Sequence, residues 1–280
     1  MDWPKVKTVL IVFLLVVNLI LGSVYASRIL ENVRLDREMV ENAVLSLKRL
    51  GVTVQKELLE KKTQKLYTME VERDKGFEKS AFTAIVGEGE VEDLGSGILR
   101  INGTGGMAKL SGDGIFQVSL SGFDRLEVPV SGTEAALYIF KKMGISAADD
   151  ELAAYTTGNG YTIEGTQRIN GKTVFNRKYE MRFDDRGLYS MQGGRILGKP
   201  LVCDDTPSVS VVTALFAFVD EMNKIGTPCL EILDAELGYY AKSSAPGFTQ
   251  IIPVWRIKSD LGERYMNAVT LELLRELPQQ

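Results

Sequence analysis

The chain has 280 residues, 45% hydrophobic and 25% charged, a balance that builds a folded core and excludes a disordered polyelectrolyte. Its net charge is -4, and because residues 1–30 carry Lys5, Lys7 and Arg28 against Asp2 alone, the remainder stands at -6, which excludes the basic face that nucleic acid requires. There is no histidine, so Ser-His-Asp and Cys-His catalysis and the usual zinc ligand sets are removed as well.

The N-terminus reads Met1-Asp2-Trp3-Pro4-Lys5-Val6-Lys7 and runs into an uncharged segment from Thr8 to Ala26. About 20 apolar residues at ~1.5 Å rise span the hydrocarbon layer of ~30 Å, so a single transmembrane helix is expected here. Lys5 and Lys7 place its start in the cytoplasm with Trp3 at the interface, and the rest of the chain becomes extracytoplasmic. A cleaved signal peptide is the competing expectation, since Val24-Tyr25-Ala26 supplies small or aliphatic residues where signal peptidase acts. Within the span, Asn18 shares a face with Gly22 and approximately with Tyr25. Such a stripe either contacts a partner helix or lies close enough to the outer interface to be hydrated.

Next, Leu30, Val33, Val40, Val44 and Leu47 fall on one helical face between Ser27 and Leu50, with Gly51 as the stop. Strands are expected at Leu66–Glu72 and Ala81–Gly87. Residues 87–114 hold nine of the 27 glycines between short apolar runs, which predicts a tight-turned antiparallel meander continuing into Ile115–Leu120. A pattern of one helix and three antiparallel strands then occurs twice. Its first copy has a helix from Ser131 to about Met143, stopped by Gly144, and strands at Gly160–Ile169, Thr173–Phe183 and Gly187–Gln192. In the second copy Thr206 is the expected N-cap and Pro207 the first helical residue of a helix to about Asn223, before strands at Cys229–Ala241, Ile251–Ser259 and Glu263–Thr270. Asn170-Gly171, Asp185-Arg186-Gly187 and Asp260-Leu261-Gly262 supply the hairpin turns. The predicted fold class is α+β, with helices packed on antiparallel sheets and three regions: 1–27 as stub and membrane helix, 28–130 as helix and Gly-rich meander, and 131–280 as the two repeats.

Candidate chemistry is sparse. Gly103-Thr104-Gly105-Gly106-Met107-Ala108 has the letters of a dinucleotide fingerprint, but Gly112 and Gly114 follow too soon for the helix that receives a pyrophosphate. Gly165 to Thr173 imitates a phosphate loop, yet a strand follows it. Asp149-Asp150-Glu151, Asp184-Asp185 and Asp204-Asp205 are expected as turn or cap carboxylates. Cys203 and Cys229 are either two thiols or one disulfide. No catalytic, cofactor-binding or metal-binding residue is assigned, and the chain is not expected to be an enzyme.

Met1-Asp2-Trp3-Pro4-Lys5-Val6-Lys7-Thr8, entering an apolar helix with Asn18 and Leu21-Gly22 near its end, resembles the YycI (WalI) family of Gram-positive bacteria. Leu237-Gly238-Tyr239-Tyr240, Ile252-Pro253-Val254-Trp255-Arg256-Ile257 and Tyr265-Met266-Asn267-Ala268-Val269-Thr270 resemble that family's closing hairpins, and the repeats are similar to PepSY-like units. The chain departs from the pattern at Leu271-Glu272-Leu273-Leu274-Arg275, which looks helical. The resemblance implies an anchored accessory protein that works with a YycH-like single-span protein. Together they adjust a sensor histidine kinase (YycG/WalK-like) governing cell-wall metabolism, through contacts of transmembrane helices. An alternative role is a secreted or anchored PepSY-like module that binds or restrains an extracellular hydrolase or a wall component.

Overall fold

A computed structural model describes residues 38–60, 64–121, 126–245 and 247–274. The expected membrane segment, with Trp3, Lys5, Lys7, Asn18, Gly22 and Tyr25, lies outside them. No helix among the described residues is long and apolar enough to cross a membrane. The described fold is mixed α+β and dominated by antiparallel strands.

Two compact units are built from interleaved stretches of chain. The first draws on the described residues 38–60, on Val211–Asp234 and on Lys258–Gly262. Its first described helix, α1 at 38–49, buries Val40, Ala43 and Leu47 at helical spacing. Gly51, at φ +84°, ends it in the left-handed region that costs other residues energy, as expected. Strand β1 (Thr53–Val54) then pairs in parallel with Glu231–Ile232, and helix α2 (Lys56–Leu59) buries Leu58 and Leu59. Helix α5 (Val211–Lys224) has an apolar stripe of Val211, Ala214, Leu215, Phe218, Val219 and Met222.

The second unit holds most of the strands. Strand β2 (Thr68–Glu72) matches expectation, but the next element does not. Ala81–Gly87, expected as a strand, is the C-terminal half of helix α3 (Lys75–Val86). Asp74 caps it, its Oδ1 accepting from Phe77 N at 2.9 Å, and the stripe Glu78, Ala81, Phe82, Ile85, Val86 is buried. Capping and amphipathic period thus override the strand preference of Thr83, Ile85 and Val86. The meander is present as β3 (Gly89–Asp93), β4 (Leu99–Gly103), β5 (Gly106–Leu110) and β6 (Ile115–Leu120), each antiparallel to the next.

Helix α4 (Thr133–Lys142) ends before Gly144 at φ +73°. Four strands follow it rather than three: β7 (Glu151–Thr157), β8 (Gly160–Ile169), β9 (Lys172–Asp184) and β10 (Gly187–Gly194). A short β11 (Leu201–Asp204) pairs with β2. The expected start of α5 at Thr206 and Pro207 is also corrected. The helix begins only at Val211, and the stretch before it is tied instead to distant segments, Ser208 N donating to Leu66 O at 2.8 Å and Val209 N to Ala268 O at 2.7 Å.

Strands β12 (Glu231–Ala245), β13 (Phe248–Ser259) and β14 (Gly262–Asn267) are the expected final three. The anticipated helical end is instead β15 (Leu273–Leu274), antiparallel to Tyr265–Met266. Asn267 causes the reversal: its Oδ1 accepts from Val269 N at 2.8 Å and Thr270 N at 3.0 Å, and Leu271 sits at φ +62°.

The strand order is β11-β2-β13-β12-β9-β10-β6-β5-β4-β3, with β8 and β7 branching from β9 and β14 and β15 from β13. One apolar core fills the space between α3, α4 and strands β4 to β10, with Phe82 against Phe116 and the Tyr179 ring edge-on to Phe140. A second, smaller core groups Phe175, Ile252 and Val254 with Tyr240, Tyr265 and Leu274.

Candidate functional site

Strand β9 is the seam on which the second unit is sewn. Its residues Tyr179–Asp184 pair with β10, whereas Val174 meets Tyr239 of β12 in the single parallel pair that joins the two halves of the sheet. The close approach requires Gly238, where a Cβ would stand 2.5 Å from Thr173 O and 2.8 Å from the Phe175 ring. Beside it, Asn176 uses its side-chain amide as a peptide mimic. Its Nδ2 donates to Ala241 O at 2.7 Å, and Ala241 N donates to its Oδ1 at 2.9 Å. Gln167 does the same for Ile196, donating to its carbonyl at 3.0 Å and accepting from its N–H at 2.8 Å. Buried peptide groups left without a partner are costly, and these side chains supply one.

Two charged clusters are equally inward. Asp150, expected as a turn carboxylate, is 1% exposed at its side chain and is ion-paired with Arg195, itself 3% exposed. Tyr179 OH donates to the same carboxylate oxygen at 2.7 Å, Arg195 donates to Ser146 O at 2.7 Å, and its guanidinium lies 4.7 Å from the Phe140 ring centroid. Burial, then the neighbouring carboxylate, pushes the Tyr179 phenol up, so it stays a donor. Arg73 grips Glu78 through both carboxylate oxygens, at 2.9 and 2.8 Å.

The remaining sequence candidates prove to be turns. Thr104-Gly105 joins β4 to β5 and Asn170-Gly171 joins β8 to β9, the latter pair at φ +51° and +72°. Asp184 Oδ1 accepts from Arg186 N and Asp204 Oδ1 from Thr206 N, as expected. Both cysteines are free thiols. Cys229 donates to Asp260 Oδ1 at 3.3 Å, and burial followed by that carboxylate pushes its thiol up to about 11. Asp260 also accepts from Leu230 N and Glu231 N, so it holds the strand start in place. No group of three metal-ligating side chains occurs among the described residues.

Several apolar side chains face outward. In the first unit Leu45, Leu50, Ile225, Leu230, Leu233 and Leu261 are exposed, Leu230 to 63%. Leu230, Leu233 and Leu261 border the place where β1, the start of β12 and the Asp260–Gly262 turn meet, since Thr53 N donates to Leu230 O and Asp260 N to Glu231 O. In the second unit the exposed apolar side chains include Leu201 on β11 and Tyr155 on β7. Such surface marks contact sites more often than catalysis. Sequence reasoning missed β7 altogether, although Leu152-Ala153-Ala154-Tyr155-Thr156-Thr157 is an uncharged run that ends at Gly158.

No family model matches the chain, and no curated protein matches it. Among solved structures it is similar to an uncharacterized protein from Eubacterium rectale, at 12% identity and a TM-score of 0.45, covering 76% of this chain and 87% of that one. It is also similar to the YpeB C-terminal domain of Bacillus megaterium, at 12% identity and a TM-score of 0.30, covering 74% of this chain and all of that one.

Proposed function

We propose that this chain is a membrane-anchored regulatory binding protein without catalytic activity of its own. Residues 8–26 cross the membrane once with the N-terminus in the cytoplasm. The outer domain, with its two PepSY-like units, and the span together bias a cell-wall-sensing histidine kinase of the YycG/WalK type, in company with a YycH-like partner. The observation that carries this reading is the division of surfaces. The strongest polar clusters, Asp150–Arg195–Tyr179 and Arg73–Glu78, are engaged inside the fold. Exposed apolar side chains, among them Leu45, Leu50, Ile225, Leu230, Leu233 and Leu261, stand on the unit that includes α1, the first described helix. The motifs at Met1–Thr8 and Tyr265–Thr270 add the kind of kinase.

An anchored protein of this kind acts on a kinase through differential contact with its states, and ~1–3 kcal/mol is typical of such coupling. Replacing Asn18 and Gly22 by Leu should weaken helix association by about 1 kcal/mol, roughly fivefold. A membrane two-hybrid assay against the kinase and the YycH-like partner reads that loss, and an unchanged signal removes the Asn18–Gly22–Tyr25 stripe from the interface. Released residues 28–280 should lose control of the kinase. Control retained by the free domain would favour restraint of an extracellular hydrolase or binding to a wall component.

A further inference from the structure

Strand β7 pairs with β8 alone among the described residues, so its other side is an open edge. Sheet edges are ordinarily guarded, by charge, by shortness or by a bulge. The outer strand β3 carries Glu90, Glu92 and Asp93, and β11 has four residues, a register shift between Val202 and Asp204, and an acidic end. Strand β7 has none of these guards beyond Glu151. Seven residues long, it runs through Leu152, Ala153, Ala154, Tyr155, Thr156 and Thr157 without a charge or a proline, and Tyr155 is 52% exposed.

The register of β7 on β8 determines which backbone groups face outward. Thr157 pairs with Gly160 across the two-residue turn Gly158-Asn159, and the closing pair of such a hairpin is a hydrogen-bonded one. By the alternation of antiparallel ladders, Leu152, Ala154 and Thr156 turn their N–H and C=O groups away from β8.

We propose that β7 is a homodimerisation edge, on which a second copy of this chain adds antiparallel about a two-fold axis at Ala154. That axis sets Ala154 against its own copy, Leu152 against Thr156, Ala153 against Tyr155 and Glu151 against Thr157. The pattern is self-complementary: small faces small, Leu faces the Thr methyl, and no charge meets a like charge. Beyond the strand, exposed Asp149 comes opposite the Asn159 amide of the other copy. The same operation on β3 about Val91 would set Glu90 against Glu92, which repels. Of these outer strands, β7 is the one whose chemistry fits a copy of itself. This proposal does not depend on the membrane anchor or the kinase.

Disulfide trapping in the purified full-length chain with Cys203→Ser tests it. A hydrogen-bonded antiparallel pair has Cα atoms ~5.5 Å apart, within disulfide reach, whereas Tyr155 and its copy would be ~8 Å apart, beyond it. Ala154→Cys should therefore give a covalent dimer under mild oxidation, and Tyr155→Cys should give at least fivefold less. Because each encounter is trapped, weak pairing accumulates and remains readable. Adding Thr156→Pro to the Ala154→Cys chain deletes an outward N–H without touching the β8 ladder, and should abolish the dimer while circular dichroism is unchanged. Absence of a dimer with Ala154→Cys overturns the proposal, as do equal yields at 154 and 155, which would indicate random collision.

Discussion

Asn176 and Gln167 each bond both the N–H and the C=O of one residue, so single side chains take the place of a strand's own peptide groups. Asp150 plays a different part, neutralising Arg195 within an almost fully buried cluster. Removing one member of a buried pair strands the other charge, so Asp150→Ala should lower stability by about 3–5 kcal/mol, measured by urea unfolding followed through the buried Trp255. The double variant Asp150→Leu, Arg195→Met should cost less than either single loss. Little of this was legible in the sequence. Asp149-Asp150-Glu151 looks like a turn, and nothing local reveals that Arg195 lies against its middle member. Asp184 and Asp204 were legible because their partners, Arg186 N and Thr206 N, are two residues away.

Strands declared themselves where alternation and turn residues agreed. The meander, the β8–β9 hairpin and the last three strands stand close to their expected places. Helix α3 was misread because Ala81–Gly87 is rich in β-branched side chains, while its cap, Asp74, lies seven residues upstream. Strand β7 and the late start of α5 were invisible for a common reason: both depend on hydrogen bonds to distant segments, β8 for one and Leu66 and Ala268 for the other. The joint between β9 and β12 is the element most sensitive to a small change. Gly238→Ala places a methyl group against Thr173 O and the Phe175 ring, which should cost about 1–3 kcal/mol. Amide hydrogen exchange at Tyr239 and Ala241 should then accelerate, while that of the β4–β5 ladder should not.

At the level of the whole chain, the class α+β was legible and the grouping of segments into units was not, because grouping is decided by long-range pairing. The first unit combines α1, β1 and α2 with Val211–Asp234 and Lys258–Gly262. Shortening the chain to begin at Gln64 removes buried Leu47, Val52, Val54, Leu58 and Leu59 and takes from Glu231–Ile232 its parallel partner. Such a chain should bind 8-anilinonaphthalene sulfonate strongly, with a several-fold rise in fluorescence over the full-length protein. Unchanged dye binding would mean that the remaining segments close the unit unaided.

The pairing of Thr53 with Glu231 also sets a timetable. Ribosomes deliver a polypeptide from its amino end, so α1 emerges long before the strand and turn that complete its unit. Loop closure over that separation is slow. Helix α1, made early, is thus among the last to find its neighbours, and Val40, Ala43 and Leu47 wait without their packing partners until then.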